Sequence, residues 1–207
     1  MGIVNVTPDS FSDGGNTATT EAAVRHALDL VSAGAEIVDV GGESTRPGAE
    51  SVSALEEQRR VIPVVEELAR HPEIVISVDT YRAETARMAV DAGAHIINDI
   101  WGLQREDGIA RLAARSGCGL VSMHNGRERD KLPDPIDDQL TFFRRSLEIA
   151  RAAGVQDDAV VLDPGFGFAK DHDENIEIIA RFGELLRLGY PMLVGTSGWS
   201  SFGVADG

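Results

Sequence analysis

Residues 74–100 read IVISVDTYRAETARMAVDAGAHIINDI and hold one full repeat of the chain's architecture. A β-rich apolar run, Ile74–Val78, stops at Asp79. A helical stretch follows and closes near Gly93, where a left-handed C-cap belongs. A second apolar run, Ile96–Ile100, carries Asn98-Asp99 at its end. Such short, near-continuous apolar runs are the mark of strands buried on both faces of a parallel sheet. The unit is therefore strand–helix–strand.

Working outward, the same unit recurs. Further apolar runs lie at Ile3–Val6, Ile37–Val40, Gly119–Met123, Val160–Leu162 and Pro191–Val194. Helical spacing joins them. Ala27, Leu28 and Val31 lead to Gly34, and Val61, Val64, Val65 and Leu68 share a face. Ile136, Leu140, Phe143 and Leu147 keep the period, as do Ile178, Ile179, Phe182 and Leu186. Ser53 with Glu56 reads as a capping box, and Gly154 is placed as a C-cap like Gly34 and Gly93. The expectation is seven strands and six clear helices in one domain spanning residues 1–207, with no linker between units.

Two architectures fit alternating strands and helices: a (β/α)8 barrel and an open, doubly wound sheet. The polar residues decide between them. Asn5, Gly41-Gly42-Glu43, Asp79, Asn98-Asp99, His124, Asp163 and Thr196-Ser197 each follow a different run. An open sheet gathers its site at one switch point, whereas a barrel brings the ends of all its strands to one mouth. The reading is an α/β TIM-type barrel. Eight such units need roughly 250 residues, so a chain of 207 residues is expected to lack the eighth βα unit.

Composition narrows the function. Hydrophobic residues make up 43% and charged residues 26%, which excludes a disordered or fibrous chain. No apolar stretch reaches the roughly 18 residues of a membrane span, and no secretory leader is recognisable. The single cysteine, Cys118, rules out an internal disulfide and a cysteine metal cage, and the cytoplasm is the expected compartment. A net charge of −15 argues against a nucleic-acid partner. An anionic substrate would need a locally positive pocket.

The candidate site collects at the run ends. The segment Asn5–Gly15 is a polar loop with glycines at its end. Gly41-Gly42 lets a ligand approach the backbone, and Arg46 offers a bidentate fork to a phosphate or carboxylate. Asp79, Asn98 and Asp163 place two carboxylates and an amide in one mouth. That set suits a ligand edge rich in N–H donors, such as a 2-amino-4-oxo-pyrimidine. Phe166 and Phe168 could cover a flat ring, with Met123 on its other face, although core packing accounts for these three equally well. His124 and Cys118 read as structural, and Gly126–Asp138 as a solvated loop. No His or Cys spacing suits a metal.

These segments also carry a family resemblance. Gly2–Gly15, Gly42–Gly48, Ser77-Val78-Asp79-Thr80, Ile97-Asn98-Asp99 and Leu162–Lys170 resemble, in order, the dihydropteroate synthases of the folate pathway. The resemblance implies a TIM barrel and a transferase. The reaction it implies joins 6-hydroxymethyl-7,8-dihydropterin diphosphate to p-aminobenzoate, giving 7,8-dihydropteroate and pyrophosphate. By motif, Asp79, Asn98 and Asp163 would bind the pterin edge, with Met123 and Phe168 near its faces. Asn5 would hold Mg²⁺ and diphosphate. Thr45, Arg46 and Ser200 would meet the diphosphate and the amine, Pro47 and Phe11 would shape the aminobenzoate pocket, and Asp13 would steady the developing cation. A homodimer is implied too. The chain departs from the family pattern at Gly198 and Trp199, where the resemblance implies Arg and Lys. Weak or no turnover is therefore expected of residues 1–207. The rival readings are a non-catalytic pterin binder, a corrinoid-type pterin methyltransferase domain and a non-enzymatic scaffold.

Overall fold

The structure is a computed structural model that describes residues 1–7, 15–43 and 52–195. Among these residues six strands form one parallel sheet in sequence order: β1 Gly2–Asn5, β2 Ile37–Gly41, β3 Val75–Asp79, β4 Ile96–Asp99, β5 Gly119–Met123 and β6 Val160–Asp163. The helices are α1 Gly15–Ser32, α2 Ala54–Leu68, α3 Ala83–Ala92, α4 Gly108–Ser116, α5 Pro135–Ala153, α6 His172–Ala180 and α7 Phe182–Leu185. Each of α1 to α5 packs against the next. One continuous helical layer on one side of a sheet is barrel construction, because a doubly wound sheet splits its helices between two faces.

The strand faces follow from the register. Val4, Val38, Val40, Ile76, Val78, Ile97, Leu120 and Leu162 are buried and join the helices in one core. The alternate residues face the other way. Asn5 pairs with Gly41, Gly41 with Asp79, and Asp79 with Asn98, while Met123 pairs with Asp163. Asn5, Asp39, Ser77, Asp79, Asn98 and Asp163 therefore share the inner face and crowd toward the carboxyl ends, whereas Asp99 and Ser122 pair with each other on the helix-facing side.

Local signals behave as the sequence implies. Gly34, Gly93 and Gly154 have φ of 103°, 116° and 93°, the left-handed conformation that glycine adopts without steric cost. Val61, Val64, Val65 and Leu68 of α2 are fully buried, each contributing about 1.5–3 kcal/mol relative to exposure. Ser53 Oγ accepts from the Glu56 N–H, which realises its half of the capping box. Asp134 caps α5 ahead of Pro135.

Two expectations are revised. The segment Pro191–Val194 pairs with β6 at a single bridge, Met192 to Leu162, rather than as a seventh strand. Leu162 donates to Pro191 O and Leu193 donates to Leu162 O, but Pro191 has no N–H to extend the ladder. The Ile178–Leu186 period also breaks. The chain turns at Arg181 between α6 and α7, so Ile178 is buried while Ile179 and Leu186 lie exposed.

Candidate active site

The floor of the inner face is organised by Asp39, which lies one register step below Gly41. Its Oδ1 accepts from Ser77 Oγ at 2.5 Å and its Oδ2 accepts from Asn98 Nδ2 at 3.0 Å. Burial raises the Asp39 carboxyl above its ordinary pKa, and these two donors work against that rise. The Asn98 amide is thereby oriented. Its nitrogen faces Asp39, and Oδ1 is left buried with no hydrogen-bond partner among the described residues. An orphaned buried acceptor of this kind calls for an outside donor.

Asp79 stands beside it. No hydrogen bond to its carboxylate occurs among the described residues. Burial, together with the charges of Asp39, Glu57, Asp99 and Glu43, pushes its pKa well above the ordinary value. Gly41 separates Asp79 from Asn5. A Cβ built on Gly41 would lie 3.5 Å from Asp79 Oδ2 and 3.7 Å from Asn5 Oδ1. The missing side chain leaves a gap with an amide oxygen on one side and a carboxylate on the other.

Asp163 ends β6 opposite Met123. Its Oδ1 accepts from the Gly165 N–H at 2.7 Å, yet burial holds its pKa up at about 6. Asp39 adds to that rise and the Lys170 charge opposes it. Gly165 has a φ of 62°, and a Cβ there would meet His124 O at 2.2 Å. Only glycine lets the turn after Asp163 press against the end of β5. Met123 is buried and Phe168 half-buried, with the Arg127 guanidinium 5.3 Å from the Phe168 ring centre. Phe166 belongs instead to a small core cluster with Ile136, Ile178 and Leu185.

Two buried ion networks flank this floor. Glu57 accepts from Thr80 and Thr85 hydroxyls at 2.7 and 2.8 Å and from Arg82 at 2.9 Å. Arg82 also donates to Glu43 and to Val52 O. On the other flank, His124 Nε2 lies 3.0 Å from Asp138 Oδ2 and 2.7 Å from Arg129 Nη2. Burial lowers the His124 pKa to about 3, so the ring is neutral and structural, as expected. The Gly126–Asp138 stretch is less solvated than its charges imply. Asp138 is buried, accepting from Arg129 and from the Leu132 N–H. Cys118 is buried and burial raises its thiol pKa, in keeping with an inert residue.

Among the residues singled out from the sequence, Asn5, Asp79, Asn98, Met123, Asp163 and Phe168 all sit at the carboxyl ends of the strands or just beyond. Phe11, Asp13, Thr45, Arg46, Pro47, Gly198, Trp199 and Ser200 lie outside the described residues. Sequence reading missed Asp39 and Lys170. Asp39 was detectable as the one carboxylate inside the run Ile37-Val38-Asp39-Val40. No group of three or more His, Cys, Asp or Glu among the described residues could hold a metal ion, and Asn5 offers a single amide oxygen.

The chain matches the family model described as "Pterin binding enzyme" over residues 1–205. The dihydropteroate synthase of Bacillus subtilis is 48% identical over 197 residues, covering 95% of this chain and 69% of that protein. The solved dihydropteroate synthase from Clostridium difficile, obtained in the presence of pteroic acid, superposes with a TM-score of 0.91. It is 46% identical, covering 95% of this chain and 75% of that one. The Xanthomonas albilineans dihydropteroate synthase with 4-aminobenzoic acid gives a TM-score of 0.89 at 44% identity, covering 95% and 72%. A parallel barrel wall with carboxylates and an amide gathered at its strand ends, and this likeness over nearly the whole chain, lead to one assignment: the chain belongs to the pterin-binding enzyme family, among its dihydropteroate synthases.

Proposed function

We propose that this chain binds 6-hydroxymethyl-7,8-dihydropterin diphosphate and joins it to p-aminobenzoate, with Asp79, Asn98 and Asp163 as the pterin-binding set. The observation that carries this reading is a floor of acceptors short of donors. Asn98 Oδ1 is buried without a partner among the described residues. The carboxyls of Asp79 and Asp163 are held above their usual pKa by burial. A ring edge with several N–H groups meets this need, and each N–H bound stabilises a carboxylate that otherwise sits at a cost. Met123 and Phe168 would pack on the two ring faces.

The bond changes are simple. The amine nitrogen of p-aminobenzoate attacks the pterin methylene carbon as the C–O bond to diphosphate breaks. Pyrophosphate leaves, and the amine gives up a proton. What the chain must do is orient the ring and accommodate negative charge on the leaving group. Thr45, Arg46 and Ser200 are the proposed partners of that charge, Asp13 the support for the developing cation, and Pro47 and Phe11 the walls around the aminobenzoate. Asn5 fits a Mg²⁺ that arrives with the diphosphate, because Mg²⁺ commonly takes one or two protein oxygens beside substrate phosphates and water. Such an ion would neutralise leaving-group charge. Gly198 and Trp199 bring no cation to the same task, and slow turnover is the proposed consequence. The cytoplasm is the proposed compartment and a homodimer the proposed assembly, which sedimentation would test.

Calorimetric titration with a dihydropterin tests the site. Asp79→Asn and Asp163→Asn are each expected to weaken binding by about 2–4 kcal/mol, since ring donors then lose a charged acceptor in a desolvated site. Wild-type affinity in both variants would remove the assigned pocket.

A further inference from the structure

The turn that follows Asp163 is unusual for its backbone. Gly165, Gly167 and Ala169 have φ of 62°, 80° and 52°. Three left-handed residues within five positions, one of them carrying a Cβ, persist only where neighbours over-determine them. The outer part of the turn has such neighbours. Asn175 Oδ1 accepts from the Gly167 N–H, and Lys131 donates to Ala169 O. The inner part rests on Lys170. Its Nζ donates to Gly165 O at 2.7 Å, Phe168 O at 3.3 Å and His124 O at 3.4 Å. An ammonium has three N–H donors, and here three carbonyls converge on it. Two belong to the turn and the third to the residue after Met123.

A charge half-buried in this way is costly unless it serves something specific. Among the described residues no carboxylate pairs directly with Lys170. Asp163 and Asp138 attract it from a distance, Lys131 and Arg129 repel it, and burial lowers its pKa to about 7. The His124 ring on the same side is neutral. An apolar side chain would fill the space without this penalty, but it could not draw the three carbonyls together. It also could not favour the ionised form of Asp163, as the Lys170 charge does.

We infer that Lys170 is a positioning residue for pterin binding, its ammonium tying the Asp163–Phe168 turn to the end of β5 so that carboxylate, Met123 and Phe168 meet the ring together. This rests on the pterin-site reading above. Lys170 itself does not touch the ligand. It sets the place of three groups that do, and it keeps one of them charged.

The test is calorimetric titration of the whole chain with 6-hydroxymethyl-7,8-dihydropterin from about pH 5 to about pH 9, on wild type, Lys170→Met, Lys170→Arg and Asp163→Asn. Lys170→Met is expected to weaken binding about tenfold or more near pH 7. It should also move the acid limb of the affinity profile to higher pH, because Asp163 loses the charge that favours its ionisation. A residue that only supported the fold would lower affinity without moving that limb. Lys170→Arg keeps a cation and should leave the acid limb in place. It should also abolish the fall in wild-type affinity above about 7, where Lys170 gives up its proton. Folded Lys170→Met with wild-type affinity and an unmoved acid limb would overturn the inference. If that variant does not fold, identical alkaline limbs in wild type and Lys170→Arg would overturn it. The control separates the two readings: full pterin binding by Asp163→Asn would sink the pocket itself, whereas loss there with none at Lys170 would sink only the positioning role.

Discussion

Asp163→Asn should stabilise the free protein while it removes pterin binding. In the folded chain burial holds the Asp163 carboxyl at about 6, against 3.8 when unperturbed. The sign follows from proton binding. A carboxyl whose pKa is raised by folding binds its proton more tightly in the native state, so stability is lost as pH climbs from about 4 to about 6. Above that range the loss is complete. At 1.36 kcal/mol per pH unit it comes to about 3 kcal/mol. Asparagine has nearly the same shape and can still accept the Gly165 N–H now held at 2.7 Å, but it carries no charge to desolvate. The variant also deprives Lys170 of a favourable neighbour, which reduces the gain. A net stabilisation of about 1–3 kcal/mol at about pH 8 is expected, fading toward zero near pH 4. Urea denaturation of both proteins across this range measures it. A stability difference that does not change with pH, or a variant less stable than wild type at about pH 8, would refute the reasoning.

Gly165→Ala should be among the most damaging single-methyl additions, at about 2–4 kcal/mol or more. Its Cβ would meet His124 O at 2.2 Å with φ already positive, and thermal denaturation would show the loss. Glu57→Ala should cost about 3–5 kcal/mol, since it strips partners from Arg82, Thr80 and Thr85 at once. Chemical denaturation reads it, and a loss below about 1 kcal/mol would show that the network relaxes around the hole.

Much of this was legible before any coordinates. The six apolar runs became β1 to β6 with their ends shifted by a residue at most, because strands covered by helices must be apolar at nearly every position. Asp79 and Asp163 were legible for the opposite reason, as charged residues that stop an apolar run at its carboxyl end. Asp39 escaped because a polar residue in mid-strand looks like an interruption of the core. Only the register shows that it shares the inner face with Asp79 and Asn98. Lys170 escaped because a lysine after a glycine-rich turn reads as solvated. Its three carbonyl partners come from backbone that sequence patterns do not place. The seventh run failed as a ladder because apolar character alone does not supply the N–H that Pro191 lacks.

Gly41 has a consequence of its own. Unlike Gly165, it needs no unusual backbone. A methyl group there would make only ordinary contacts, at 3.5 Å to Asp79 and 3.7 Å to Asn5. The chain would therefore fold about as well with alanine at this position, yet the added carbon would occupy the gap between two side chains of the proposed site. On the proposed reading, folding places little demand on position 41 and ligand access places most of it. A single codon change here would yield a sound protein with a blocked mouth, visible to a growth assay and invisible to a melting curve.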